Sequence, residues 1–246
     1  MCCFSQPVES VTATKIFARE STKNRQFVVY SMTLAAEKDL AMILPLPVPA
    51  KSPEDAVRFI NLEKYEKFFA DMAKGFPATR GPSKSETFGL GGLGNHKLEV
   101  VEVGSFVASF VPTVADFARL DEQFRLPNGT WDKLPAYKEF GFAVFKLKPG
   151  EKTIHPMAFE FPRATRRLFF PTVHIHDGEV HEQADFDHVL YMQAEQNAGA
   201  MMQWQESPQL AASFMKIDDT AGIVDGKQHI YRLKISGKKQ NRDIYV

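Results

Sequence analysis

The sequence predicts an α+β fold, a mainly antiparallel β-sheet with two to three helices packed on it, in a single domain over residues 1–246. Three observations predict it. Apolar runs bounded by polar turns open the chain, an i, i+3, i+4 apolar period follows residue 61, and strand-like runs return after it. A chain of this size buries roughly 70% of its unfolded surface, enough for one sizeable core. The 21 Phe residues predict that aromatic rings fill that core.

Residues 11–19, 25–35 and 40–48 read as three strands joined by the polar turns at 21–24 and 37–39. Pro45, Pro47 and Pro49 remove ladder donors on one side only, which places the end of the third strand at an edge. Leu62, Tyr65, Phe68, Phe69, Met72 and Phe76 then recur at helical spacing, with Asn61 as N-cap and Gly75 near the C-terminus. Residues 77–97 carry Gly81, Gly89, Gly91, Gly92 and Gly94 and predict a flexible, glycine-rich loop. Residues 89–94 match G-x-G-x-x-G in letters, but a strand rather than a helix follows, so no nucleotide cofactor is expected. After a strand pair, or one long bent strand broken at Gly104, over 98–112, Thr113 and Asp116 start a second helix with Phe117, Leu120 and Phe124 inward. Residues 140–147 and 153–161 predict a hairpin around 148–151, and 168–176 and 187–193 two further strands. Residues 194–214, rich in Ala, Gln and Met, predict a third helix, and the remainder a hairpin turning at Asp225-Gly226.

A resemblance accompanies this reading. It rests on Val28-Val29-Tyr30, on Ala41-Met42-Ile43-Leu44-Pro45-Leu46-Pro47 and on Val101-Glu102-Val103-Gly104. Tyr137 with Gly141-Phe142-Ala143-Val144-Phe145-Lys146-Leu147, and Pro156-Met157 with Phe159-Glu160-Phe161-Pro162, extend it. Over residues 27–192 this series resembles the bacterial "domain of unknown function 2330" proteins. The resemblance implies a shared β-rich fold and assigns no activity to any residue.

With 30 Lys+Arg against 30 Asp+Glu the formal net charge is zero, which argues against nucleic acid or an anionic membrane as partner. No run reaches the ~18 apolar residues of a membrane span. The first residues lack a basic, then apolar, leader, so a cytoplasmic protein is expected. The only cysteines, Cys2 and Cys3, are adjacent, and thiols are their expected state.

Four of the seven histidines lie between residues 174 and 188. On a strand His174 and His176 share a face, and a returning strand could set His188 opposite them. A His-x-His pair plus a third His is a way to hold zinc, copper or iron with a position open for water. His181, Cys2 and Cys3 are further ligand candidates, and Asp177, Glu179, Asp185 and Asp187 could orient the imidazoles. The function expected first is therefore a metal-binding protein, as an enzyme a mononuclear one acting on a small-molecule substrate. A first alternative is an N-terminal cysteine hydrolase. Removal of Met1 would give the Cys2 thiol its own amine as base, and Cys2 with Ile16-Phe17-Ala18-Arg19 resembles the choloylglycine type. A second alternative is a non-catalytic binding domain. Arg163, Arg166 and Arg167 form a basic cluster that could receive an anionic group.

Overall fold

The computed structural model describes residues 2–22, 24–76, 101–103, 106–126, 129–148, 150–175, 179, 181–194 and 203–246. In chain order the strands are β1 (Cys2–Phe4), β2 (Ser10–Glu20), β3 (Arg25–Ala36), β4 (Leu40–Leu46) and β5 (Arg58–Ile60). A single α-helix among the described residues, α1 (Phe68–Lys74), follows. Then come β6 (Val101–Val103), β7 (Phe106–Val111), β8 (Gly141–Leu147), β9 (Gly150–Thr153), β10 (Met157–Pro162), β11 (Phe169–Phe170) and β12 (His174–Ile175). The chain closes with β13 (Gln183–Gln193), β14 (Gln205–Glu206), β15 (Tyr231–Gln240) and β16 (Ile244–Tyr245).

Two large sheets result, ordered β12-β1-β4-β8-β7-β6 and β14-β15-β13-β2-β3-β10-β5, and β11 pairs with β16 apart from them. The side-chain period of two explains how they stack. Val28, Tyr30, Met32 and Leu34 of β3 point one way, as do Leu40, Met42, Leu44 and Leu46 of β4, and both sets belong to one core with Phe145 and Phe159. The opposite phases are apolar too. Phe27 and Val29 meet α1 through Phe68, Phe69 and Met72, while Ala41, Ile43, Phe142 and Val144 are covered by Phe117 and Tyr137 from short 3₁₀ turns and by Leu126 and Leu134 beside them. Runs apolar at every position demand cover on both faces, and β4, buried at all seven positions, receives it.

β2, β3 and β4 match the sequence reading closely. β1 pairs with β4 only at Met42 and Ile43, so beyond Leu44 one side of β4 has no partner strand among the described residues, and Pro45 costs no ladder bond there. Leu62, Tyr65, Phe68, Phe69, Met72 and Phe76 are all buried as the helical spacing requires. Their segment is a 3₁₀ turn followed by seven residues of α-helix, and the Asn61 Oδ1 accepts from the Glu63 amide at 2.8 Å.

The α+β assignment is corrected: the described chain is mostly β, with one short α-helix. The second expected helix is a 3₁₀ turn, Val114–Arg119, after which Leu120 is already extended. Thr113 spends its hydroxyl on the Asp116 carboxylate at 2.7 Å and caps no backbone amide. In the third, the part after residue 202 forms β14 and the turn Ala211–Ser213, because Ser207 and Ala211 bond across to Ile230 and Gln228. The hairpin expected over 140–161 does not form either. β8 pairs with β4 and β7, whereas β9 and β10 pair with β3 in the other sheet. Nor is Asp225-Gly226 a hairpin turn; β15 lies on β13. The loop expected over 77–97, with its glycine motif, lies outside the described residues. No helix among the described residues is long and apolar enough to cross a membrane.

Candidate functional site

Strand β1 is held between two partners. Cys2 is in register with His174 on the parallel strand β12, and Cys3 faces both Ile175 and Ile43. Cys3 is fully buried in the outer core of the six-stranded sheet, among Ala41, Ile43 and Tyr137.

His174 and His188 do come together, with ring centroids 4.7 Å apart. Phe186 completes the group, 4.7 Å from His174 and 5.1 Å from His188. The phase of β13 explains why: Phe186, His188, Leu190 and Met192 alternate, and Leu190 and Met192 lie in the core between the sheets. His188 is therefore an inward-facing residue, 2% exposed, and His174 is 8% exposed. Neither belongs to a solvated strand face.

Burial pushes the His188 imidazole below its ordinary value, and Asp187, whose Oδ1 is 3.8 Å from Nδ1, works against that. Burial would raise the Asp187 carboxyl, but His188 and the Ala13 and Thr14 amides hold it below the usual carboxylate range. Asp187 thereby secures an irregular turn of β2. The register of β2 on β3 shifts between Thr12 and Lys15, Ala13 takes a left-handed φ of 52°, and its amide donates to Asp187 Oδ2.

The sign of the resulting pH dependence follows. An unfolded chain accepts a proton on His188 near ~6.5, while the folded chain resists it. The stability associated with neutral His188 is complete above that value and falls away as pH drops below it. His188→Phe, which keeps an aromatic ring beside Phe186, should flatten the pH dependence of stability between about pH 7 and pH 5. Burial also lowers His155, which leaves a residual slope. Urea unfolding of both proteins at several pH values checks this, and identical slopes would refute it.

The rest of the expected cluster is placed differently. His181 is exposed, and its backbone carbonyl accepts from Asn241 Nδ2 at 3.0 Å. His176 and Asp177 lie outside the described residues, and for Cys2 the structure gives the strand pairing alone. Among the described residues no three His, Cys, Asp or Glu side chains are grouped to hold a metal ion. The described residues thus lend the metal-binding reading no support, and the His174–His188 contact is a buried ring contact between the two sheets. Two arginines of the basic cluster are engaged within the chain. Arg163 is buried against Glu20 at 2.9 Å and donates to the Arg166 carbonyl, and Arg167 lies over the Tyr245 ring at 5.0 Å.

Sequence reasoning missed the tail that fixes this region. Asp243 Oδ1 accepts from the amides of Thr172 and Val173 at 2.8 and 3.1 Å, and its Oδ2 accepts from the Tyr137 hydroxyl at 2.6 Å. Burial and then the Asp243 charge raise the Tyr137 hydroxyl far above its ordinary value. Asn241 Oδ1 accepts from the His174 amide at 2.7 Å, and its Nδ2 returns a bond to the His174 carbonyl at 2.9 Å. The available signal was two hydrogen-bonding side chains, Asn241 and Asp243, placed just before the apolar end of the chain.

Fold and site together describe a two-sheet β protein in which His174, His188 and Cys3 are buried among packed neighbours. No protein-family model matches the chain, and no curated protein matches it. Solved structures do. The crystal structure of baculovirus P35 matches with a TM-score of 0.52 and 14% identity over 96% of both chains. A mutated baculovirus P35 after caspase cleavage matches with 0.53 and 14%, over 95% of this chain and 99% of that one. The caspase-8/P35 complex matches with 0.50 and 14% over 95% of each. At such identity the likeness is one of fold. The sequence reading expected a small-molecule substrate, whereas the P35 of the last structure is bound to a protein, caspase-8.

Proposed function

We propose that this chain is a non-catalytic protein-binding domain whose partner is a protease of the caspase class. The observation that supports the reading is the likeness to P35 along almost the whole of both chains, including the form solved with caspase-8. The site agrees with it, because buried His174, His188 and Cys3 serve the packing of a scaffold that presents its outer surfaces to a partner.

The test mixes the purified chain with active caspase-8, and in parallel with other caspases, and follows size-exclusion chromatography with light scattering. Co-elution with at least one of them as a stoichiometric complex is the expected result. Intact mass of the complex then reads whether the chain is cut, as one of the P35 structures is. Separate elution from every caspase, by a chain whose circular dichroism shows it folded, would overturn the reading.

A further inference from the structure

We propose that residues 242–246 form a detachable strap, which lifts as one unit while both large sheets stay folded, and whose Asp243 plugs a carboxylate site on the body beneath it. The pivot comes first. The Asn241 amide donates to the Glu182 carbonyl at 2.8 Å, one step beyond the Gln183–Gln240 pair at that end of the β13–β15 ladder. The Asn241 side chain bonds to both the amide and the carbonyl of His174. Asn241 therefore belongs to the body, and the strap begins after it.

Beyond this pivot the chain is held mainly by hydrogen bonds. β16 pairs with β11 in a sheet of two strands, apart from the large sheets. The Leu168 and Val246 amides each donate to the other's carbonyl, at 2.8 and 2.9 Å, and the Tyr245 ring lies 5.1 Å from Phe169. A two-stranded pair by itself is marginally stable in water. None of residues 242–246 is buried, whereas Phe169, Phe170 and Thr172 beneath them are at most 1% exposed. An element with little buried apolar surface opens at a lower free energy than the strands it covers, so the strap lifts without unfolding the sheets.

What the strap covers is a set of donors aimed at one carboxylate. The Thr172 and Val173 amides, at 2.8 and 3.1 Å, and the Tyr137 hydroxyl, at 2.6 Å, reach the two Asp243 oxygens from different segments of the body. The Thr172 hydroxyl also donates to the Arg242 carbonyl at 2.8 Å. Tyr137 is packed with Ala41 and Phe142, and Thr172 is buried, so these donors keep their places when Asp243 leaves. Successive amides turned to one point make an anion-binding concavity, and hydrogen bonds to an ionised acceptor are the strong ones. Because three of the bonds share one carboxylate, they form and break together, and the strap has two states rather than a gradual fray.

Native-state hydrogen exchange of the full chain tests this. The Leu168, Thr172 and Val173 amides should share one protection factor, at least about tenfold below those of Val28, Val29 and Tyr30 in β3. Asp243→Ala should speed all three together by at least about tenfold, including Leu168, whose own bond is to Val246. Phe159→Leu, a change in the core and not in the strap, should speed β3 and leave the three unchanged. In Asp243→Ala, sodium formate at about 0.1 M should slow Thr172 and Val173 by about twofold or more relative to equal sodium chloride, and it should leave the parent unchanged. If Asp243→Ala does not fold, Asp243→Asn carries the exchange comparison, since it keeps the shape and loses the charge. The proposal is overturned if Phe159→Leu speeds the three amides as much as β3, because they would then open only with the whole fold. It is equally overturned if Leu168 does not respond to the Asp243 change, or if formate protects no better than chloride.

Discussion

Phe159→Ala is expected to cost about 3–5 kcal/mol, the range for removing a fully buried aromatic ring. Phe159 is fully buried on β10, and its ring lies 5.9 Å from Phe145, 6.1 Å from Phe161 and 6.3 Å from Phe59. Phe145 comes from the opposite sheet, so the ring is shared by both halves of the sandwich and neither can close the hole alone. Against a total of about 5–15 kcal/mol the loss is large, and the melting temperature should drop by about 10 °C. Phe159→Leu keeps most of the apolar volume and should cost less than half as much. Differential scanning calorimetry of the three proteins decides it; an Ala variant melting with the parent would show that the two sheets do not share this core.

Asp243→Ala should cost about 2–4 kcal/mol, because it strands several donors at once. The Thr172 and Val173 amides and the Tyr137 hydroxyl all donate to this one carboxylate, and Tyr137 and Thr172 are buried. Tyr137→Phe alone removes a donor together with its need and should cost about 1 kcal/mol. Combined, the two changes should cost less than their sum, since the double variant leaves no tyrosine hydroxyl unmet. Chemical denaturation of the four-membered cycle measures the coupling. Strict additivity would show that Asp243 and Tyr137 do not act as a pair.

What the sequence revealed, and what it hid, follows from the range of the interactions concerned. β2, β3 and β4 are legible because turns at 21–24 and 37–39 bound unbroken apolar runs, and the buried face of 62–76 because its spacing is helical. The inward place of His188 was legible as well, in its phase with Leu190 and Met192. Reading the histidines as a ligand set drew on their clustering and left that phase unused; a side chain sharing a face with core Leu and Met has to pack there whatever else it does. The segment beyond residue 202 was misread because nothing local tells that Ser207 and Ala211 bond to residues about twenty further on. The supposed hairpin over 140–161 failed for a similar reason. Adjacent apolar strands with a Pro-Gly turn normally pair, yet β4 and β7 take both edges of β8 while β3 and β5 take both edges of β10 in the other sheet.

One pairing bears on how the chain reaches this state at all. β2 lies parallel to β13, with Lys15 opposite Val189, a partner 174 residues later. On a ribosome adding about 5–20 residues each second, the β2–β3 hairpin therefore waits roughly ten to thirty seconds before that neighbour exists. Throughout the delay an edge carrying Ile16 and Phe17 faces the crowded cell with its amides and carbonyls open, a template for any extended chain nearby. Closing a parallel pair over such a distance is slow in its own right. Nascent-chain capture by a chaperone, or a refolding yield that falls steeply with protein concentration, is the price this topology sets on its own synthesis.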